Sequence, residues 1–359
     1  MRNIRELRES ISDIDVQITN LLQKRAEIAK QIGEIKTGQG EEQIYDPSRQ
    51  KLLMDNVLGA VQGFLTPEGL KRIFTEISSQ CQQLEQKIKV GFLGPEGTYT
   101  HQASVAEFGS SVNFIPFSSV DDLFSAVEKK IVDCSVVAIE NSTGGVVHKV
   151  LDRFLDSDVK ISSEIIIYIH HCLISNVDLD KVECIFSHPQ PFMQCRHWLR
   201  ENLPSARHVE VASTVEGVHK ARETKNSAAI ASEIAANRYK MKILAKNIQD
   251  TMENFTRFVV LGRTVPKPTG SDKTSLIVSL KHKPGSLFEA LKPFAARGVN
   301  LTKIESRPTR QRPWEYVFFI DFEGHLDDKK VKGVLKELEP HTVFIQCLGS
   351  YPNERMNKQ

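Results

Sequence analysis

Apolar residues recur at Ile4, Leu7, Ile11, Ile14, Ile18, Leu21, Ile28, Ile32 and Ile35, a three-four spacing that predicts one long helix with a continuous packing seam. Arg25 interrupts the seam. An unpaired guanidinium there would be costly, so either an anionic ligand or an internal Glu should meet it. Gly38 and Gly40 end the helix; Asp46-Pro47, an N-cap followed by a first-turn proline, opens a second, and Thr66-Pro67 opens a third. Arg8 precedes Arg25 by 17 residues, roughly 25 Å along a helix, too far for one small ligand to touch both easily. An antiparallel partner would bring the partner's Arg8 beside Arg25, which predicts a dimer with shared sites. Lys36 lies three turns beyond Arg25 on nearly the same face, where two long side chains can converge on a dianion.

From residue 89 the period changes. Short apolar runs at 89–93, 113–117 and 134–139 alternate with helical stretches such as 120–130, as a parallel-rich α/β sheet requires. The β-branched run 159–169 carries the chain into a second lobe, built from strands 182–187, 207–212 and 228–231 with helices 191–201 and 214–223. Residues 251–262 then return to the first lobe. Two α/β lobes with a crossing between them put a ligand cleft at the hinge. Residues 266–272 are a linker by composition. Beyond it, strand 274–280, helix 286–297, strands 300–306 and 316–322, helix 328–338 and strand 342–348 give a ferredoxin-like βαββαβ order. The chain therefore reads as multidomain: an all-α unit over 1–88, a two-lobed α/β unit over 89–266 and an α+β unit over 273–351.

The 359 residues carry 47 basic and 45 acidic side chains with no long basic run, which argues against nucleic acid as the main partner. The first residues lack an apolar stretch suited to a signal peptide or membrane span, so a cytoplasmic protein with no membrane partner is expected. Cys81, Cys134, Cys172, Cys184, Cys195 and Cys347 are scattered and read as reduced, mostly buried thiols. His170 and His171 look like a metal pair, but neighbours on a strand point to opposite faces, and no metal is expected. Gly91, Gly94 and Gly97 loosely match a dinucleotide fingerprint; Pro95 offsets it, and the acidic residue that should close the next strand is missing. No cofactor is expected.

Candidate chemistry sits where polar or Gly-rich turns end apolar runs: Gly91-Phe92-Leu93-Gly94-Pro95-Glu96-Gly97-Thr98, Ile139-Glu140-Asn141-Ser142-Thr143-Gly144-Gly145, Ser187-His188-Pro189-Gln190-Pro191 and Asn254-Phe255-Thr256-Arg257-Phe258. In the last, strand alternation puts Asn254 and Thr256 on one face and Phe255 and Arg257 on the other. Together these closely resemble prephenate dehydratase, and the flanking segments resemble its usual fusion partners. The whole chain resembles the bifunctional chorismate mutase/prephenate dehydratase family with a C-terminal ACT regulatory domain. The resemblance implies a dehydratase domain similar in form to two-lobed (type II) periplasmic binding proteins. Thr256 would be the general acid that helps the ring hydroxyl of prephenate leave as water. Thr98, Glu140, Asn141, Ser142 and Asn254 would meet substrate from one lobe and Ser187, His188 and Gln190 from the other. Arg257 is carried over as a substrate contact, although a regular strand would face it away from Thr256, where a structural ion pair is the alternative unless the strand ends or bulges there.

The first segment resembles the all-helical chorismate mutases, which turn chorismate into prephenate without nucleophile or cofactor by holding a folded conformer among cations. The implied residues are Arg8 (for the neighbouring protomer's site), Arg25, Lys36, Asp46, Arg49, Gln50, Cys81 and Glu85. Gln50 replaces a frequent Glu, Cys81 a common Ser, and Glu85 a common Gln that donates to the breaking ether oxygen. A carboxylate cannot donate, so Glu85 would serve only when protonated; mutase activity is then expected to rise as pH falls from 8 towards 5. In the third segment, Gly285-Ser286-Leu287, Asn300-Leu301 and Glu305-Ser306-Arg307 resemble phenylalanine-binding motifs, with Ser286 where Ala is common. They imply L-phenylalanine as feedback inhibitor and a dimer or tetramer. Competing readings are a dehydratase whose decayed mutase domain serves dimerisation, and a phenylalanine sensor without turnover.

Overall fold

The structure is a computed structural model that describes residues 3–39, 45–60, 63–308 and 316–354. The N-terminal unit is three helices: α1 (Ile4–Gln39), α2 (Pro47–Gly59) and α3 (Pro67–Glu85). Asp46 caps α2 by accepting from Ser48 N and Arg49 N, and Thr66 caps α3 by accepting from Gly69 N, as the two X-Pro starts predict. The expected end at Gly40 lies outside the described residues. Gly33 lets α1 and α3 touch backbone to backbone: a Cβ there would lie 2.3 Å from the Glu85 carbonyl oxygen. Among the described residues most of the apolar seam is uncovered. Ala29 and Gly33 are the buried residues of α1, whereas Ile4 is 71 % and Leu21 64 % exposed.

The first lobe of the central unit holds β1 (Lys89–Leu93), α4 (Tyr99–Phe108), β2 (Asn113–Phe117), α5 (Val120–Glu128), β3 (Cys134–Asn141), β4 (Gly145–Val146), α6 (His148–Leu155) and β5 (Lys160–Tyr168). The second lobe holds β6 (Cys172–Ser175), β7 (Cys184–Ser187), α7 (Pro189–Gln194), α8 (Arg196–Asn202), β8 (Arg207–Glu210), α9 (Thr214–Glu223), β9 (Ser227–Ala231), α10 (Glu233–Arg238) and β10 (Lys242–Ala245); β11 (Phe255–Gly262) then returns to the first. The sheets run β2-β1-β3-β11-β5, with β4 on β3, and β10-β6-β9-β7-β8. Both are mixed. β11 lies antiparallel between β3 and β5, and β6 is antiparallel to β9, so each lobe is less parallel than its alternating pattern suggests. The run expected to enter the second lobe is β5, an edge strand of the first, and the chain crosses just after it. The single helix expected over 191–201 is two helices meeting at Cys195.

The C-terminal unit is β12 (Asp272–Leu280), α11 (Ser286–Ala296), β13 (Leu301–Pro308), β14 (Tyr316–Glu323), α12 (Lys329–Leu338) and β15 (Thr342–Pro352), with strand order β13-β14-β12-β15. This is the ferredoxin-like arrangement. Its sheet face closes on the first lobe: Ile277, Val317, Phe319, Leu348 and Tyr351 share one core with Val137, Leu151, Phe154, Ile161, Val259 and Leu261. Arg257 anchors the same interface with charge. Its Nε lies 2.9 Å from Glu164 and its Nη1 2.6 Å from Asp321, and its Nη2 donates to Tyr351 Oη at 2.9 Å. Lys273 adds a second cation 2.7 Å from Glu164. Burial alone would raise the Asp321 carboxyl, but Arg257 and the Ser275 hydroxyl hold it below the usual carboxylate range.

Candidate active sites

A cleft of about 940 Å³ opens between the two lobes of the central unit. Thr256 and Phe258 line it from β11 while Arg257 turns to the C-terminal unit, so the face expected for Thr256 is the face observed. Asn141, opposite Thr256 in the ladder, donates from Nδ2 to Thr256 Oγ1 at 2.9 Å, to the Phe255 carbonyl at 3.0 Å and to Asn254 Oδ1 at 3.0 Å. A hydroxyl oxygen that accepts from an amide keeps its own proton for another partner. Thr256 Oγ1 is therefore set up to donate into the cleft.

The cleft wall holds no lysine or arginine among the described residues. Two helix starts line it, and so does the Glu216 carboxylate, which accepts from Ala212 N at 2.9 Å. Thr98 caps α4 from one lobe and Ser213 caps α9 from the other, each accepting a first-turn amide, and Thr98 to Thr100 and Ala212 to Thr214 line the wall. Two helix N-termini facing each other across a cleft suit a ligand with two carboxylates. His188 caps α7 by accepting from Gln190 N at 3.3 Å; burial pushes its imidazole below the ordinary value, against Glu210. Gln190 reaches across the cleft, Nε2 donating to Asn141 Oδ1 at 3.1 Å.

Four residues expected to touch substrate are engaged elsewhere. Ser187 is buried and donates to the Ile230 carbonyl at 2.9 Å. Ser142 ties two loops, donating to the Glu253 carbonyl and accepting from Phe255 N. Glu140 pairs with Lys303 of β13 at 2.7 Å. Arg257 sits in the ion cluster described above. Asn254 is buried behind Asn141, and its Nδ2 has no hydrogen-bond partner among the described residues. Conversely, Tyr99, His171 and Gln194 line the cleft without having been singled out as site residues. Gln194 was findable, because it lies one helical turn after Gln190.

The helical unit has its own cavity of about 140 Å³, which gathers Arg25, Lys36, Asp46, Arg49, Gln50, Cys81 and Glu85. Arg8 lies apart, in a surface groove with Arg5 and Glu9. Lys36 Nζ is 3.1 Å from Glu85 Oε2, and Arg25 Nη1 donates to the Ile77 carbonyl at 3.5 Å. The central unit closes one side: Glu107 and Phe108, at the end of α4, line the cavity, and Gln50 Nε2 donates to the Glu107 carbonyl at 2.9 Å. Replacing Glu85 by Gln installs a donor that needs no proton from solvent. If Glu85 serves only when protonated, as expected from the sequence, the activity of this cavity should rise between pH 8 and pH 5 and be flat in Glu85→Gln; equal rates across that range in the unsubstituted protein would remove Glu85 from the reaction.

In the C-terminal unit Gly285 takes the left-handed conformation, φ 79°, that starts α11. Ser286 donates to the Lys281 carbonyl at 2.5 Å, Leu287 and Asn300 are exposed, and Leu301 is half-buried against the core. Glu305, Ser306 and Arg307 lie on β13, an edge strand. Arg307 is turned onto the central unit, 2.7 Å from Asp152.

Three family models match in order: chorismate mutase type II over residues 7–86, prephenate dehydratase over 90–266 and the ACT domain over 274–340. The fold and the two cavities thus define a two-lobed lyase joined to a helical mutase and an amino-acid-sensing type of domain. Among similar proteins, the bifunctional chorismate mutase/prephenate dehydratase of Aquifex aeolicus is 46 % identical over 98 % of both chains. That of Pseudomonas aeruginosa is 40 % identical over 97 % of both. A solved structure of prephenate dehydratase from Arthrobacter aurescens in complex with L-Phe is similar at 35 % identity and TM-score 0.70, covering 76 % of this chain and 92 % of that one. The chain belongs to the bifunctional chorismate mutase/prephenate dehydratase family. It is an enzyme with both activities, converting chorismate to prephenate and prephenate to phenylpyruvate, carbon dioxide and water. Among the described residues no helix is long and apolar enough to cross a membrane.

Proposed function

We propose that Thr256 is the proton donor of the dehydratase reaction and that the cavity around Lys36 and Arg25 carries the mutase reaction. As the carbon–carbon bond to the ring carboxylate breaks, its electron pair becomes part of the aromatic ring. The ring hydroxyl departs with its bonding pair and takes the Thr256 proton to leave as water; solvent restores that proton. Aromatisation supplies the driving force, so a neutral hydroxyl acid suffices. The observation that carries this reading is the 2.9 Å bond from Asn141 Nδ2 to Thr256 Oγ1 at the cleft wall. Thr98, Asn141, His188 and Gln190 orient the substrate, and the starts of α4 and α9 meet its two carboxylates. In the mutase cavity Arg25, Lys36 and Arg49 hold the dianion, and Asp46, Gln50 and Cys81 shape the pocket. Phenylpyruvate formed from prephenate as sole substrate, followed by absorbance, tests the dehydratase assignment.

The uncovered seam of α1 supports a dimer in which an antiparallel copy buries it and the partner's Arg8 completes the mutase site. Six cysteines without a disulfide suit a reducing, cytoplasmic setting. L-Phenylalanine is the effector on this reading, binding through Gly285 to Leu287, Asn300 and Leu301, and Glu305 to Arg307 at paired ACT domains. Adding it should lower the dehydratase rate and change the molar mass seen by light scattering. Unchanged kinetics at millimolar phenylalanine, or a monomer at all concentrations, would contradict this part of the proposal.

A further inference from the structure

The polar chain that ends on Thr256 is longer than one bond, and backbone groups fix its direction. Thr143 N and Gly144 N donate to Asn141 Oδ1 at 3.2 and 2.7 Å, while the Phe255 carbonyl accepts from Nδ2 at 3.0 Å. The amide therefore has one orientation. Its Oδ1 also takes the Thr143 hydroxyl proton at 2.8 Å, which leaves Thr143 Oγ1 to accept from Gln194 Nε2 at 2.5 Å. Gln194 Oε1 then faces His171 Nε2 at 2.8 Å, where the imidazole must donate. On the other side of the ring, His171 Nδ1 lies 3.0 Å from the Tyr99 hydroxyl.

Two features separate this from ordinary packing. First, the chain crosses the cleft twice. Tyr99 and Thr143 belong to the first lobe, while His171 opens the second and Gln194 lies on α7. Second, His171 does not need its side chain to stay in place: its N–H donates to Gln249 Oε1 at 2.9 Å, and its carbonyl accepts from Ile248 N at 3.0 Å. Burial, reinforced by neighbouring His170, lowers the imidazole's affinity for a second proton, against the bond to Gln194. The ring is therefore neutral near pH 7, with Nε2 protonated and Nδ1 beside the Tyr99 hydroxyl, which donates to the His170 carbonyl at 2.8 Å.

We infer that His171 is a positioning residue for the dehydration: its Nε2–H fixes the Gln194 amide, which through Thr143 and Asn141 aims the Thr256 proton at the departing hydroxyl. This rests on Thr256 as the proton donor. His171 touches no reacting atom on this account, so its loss should appear in kcat rather than KM.

The test is steady-state kinetics of the full-length protein with prephenate, with chorismate mutase turnover as the control for folding. His171→Leu should lower dehydratase kcat roughly tenfold to a hundredfold, the scale of a small misplacement at a reacting centre, with KM little changed. His171→Gln, whose amide N–H can reach the Gln194 carbonyl, should recover most of that loss. In a Thr256→Ala background, His171→Leu should cost nothing further. The inference is overturned if His171→Leu keeps wild-type kcat, if only KM moves, if the Gln variant is no better than Leu, or if the double variant's losses multiply. Full kcat in Thr256→Ala alone would instead overturn the donor assignment on which the inference rests, and the two failures are distinct.

Discussion

Thr256→Val should abolish most dehydratase turnover and leave mutase turnover unchanged. Removing a positioned acid costs about 10²–10⁴ in rate. Valine keeps the shape and the β-branched fit to the strand, so the loss should fall on kcat. Stability should hold as well, because Asn141 Nδ2 retains the Phe255 carbonyl and Asn254 Oδ1 as acceptors, so no buried donor is orphaned. Thr256→Ser keeps the hydroxyl and should stay within roughly tenfold of the parent, the deficit reflecting a looser rotamer. Prephenate kinetics on both variants decide the matter. A Val variant with unchanged kcat would remove the hydroxyl from the chemistry.

Arg257→Met should be the most destabilising of these single changes. It leaves Glu164 and Asp321 at a buried interface with Lys273 as the remaining close cation. Breaking a buried pair from one side costs about 3–5 kcal/mol, because the partner charge is left uncompensated. The loss should appear as a lower unfolding midpoint for the dehydratase and ACT domains together. At temperatures where the variant is folded, prephenate KM should stay near the parent value. A stable protein with a greatly raised KM would return Arg257 to the substrate.

The alternation around Thr256 was legible because side-chain direction in a strand is local: Thr256 and Arg257 had to face opposite ways, whatever lay on either side. What lay beyond Arg257 was not legible. Glu164, Asp321 and Tyr351 are brought to it by packing of the C-terminal sheet on the first lobe, and no local pattern encodes that pairing. Ser187 and Ser142 misled for the same reason. Each stands in a turn that ends a strand, where an exposed hydroxyl is a fair expectation, but their acceptors, the carbonyls of Ile230 and Glu253, come from distant segments. The three-four spacing of α1 correctly marked a helix with an apolar face. It could not say that most of the face is left uncovered by the described residues. His171 was passed over once the metal reading of His170-His171 was set aside; the two lie between β5 and β6, where no strand alternation gives a side chain's direction.

The central claim is that one chain carries two successive reactions and that the second needs the hydroxyl at position 256. The most direct test supplies chorismate alone and follows both products with time. The parent protein should form prephenate and then phenylpyruvate, and Thr256→Val should accumulate prephenate in proportion to the chorismate consumed. Phenylpyruvate appearing at the parent rate in the variant, or chorismate left unconsumed by the parent, would contradict the account.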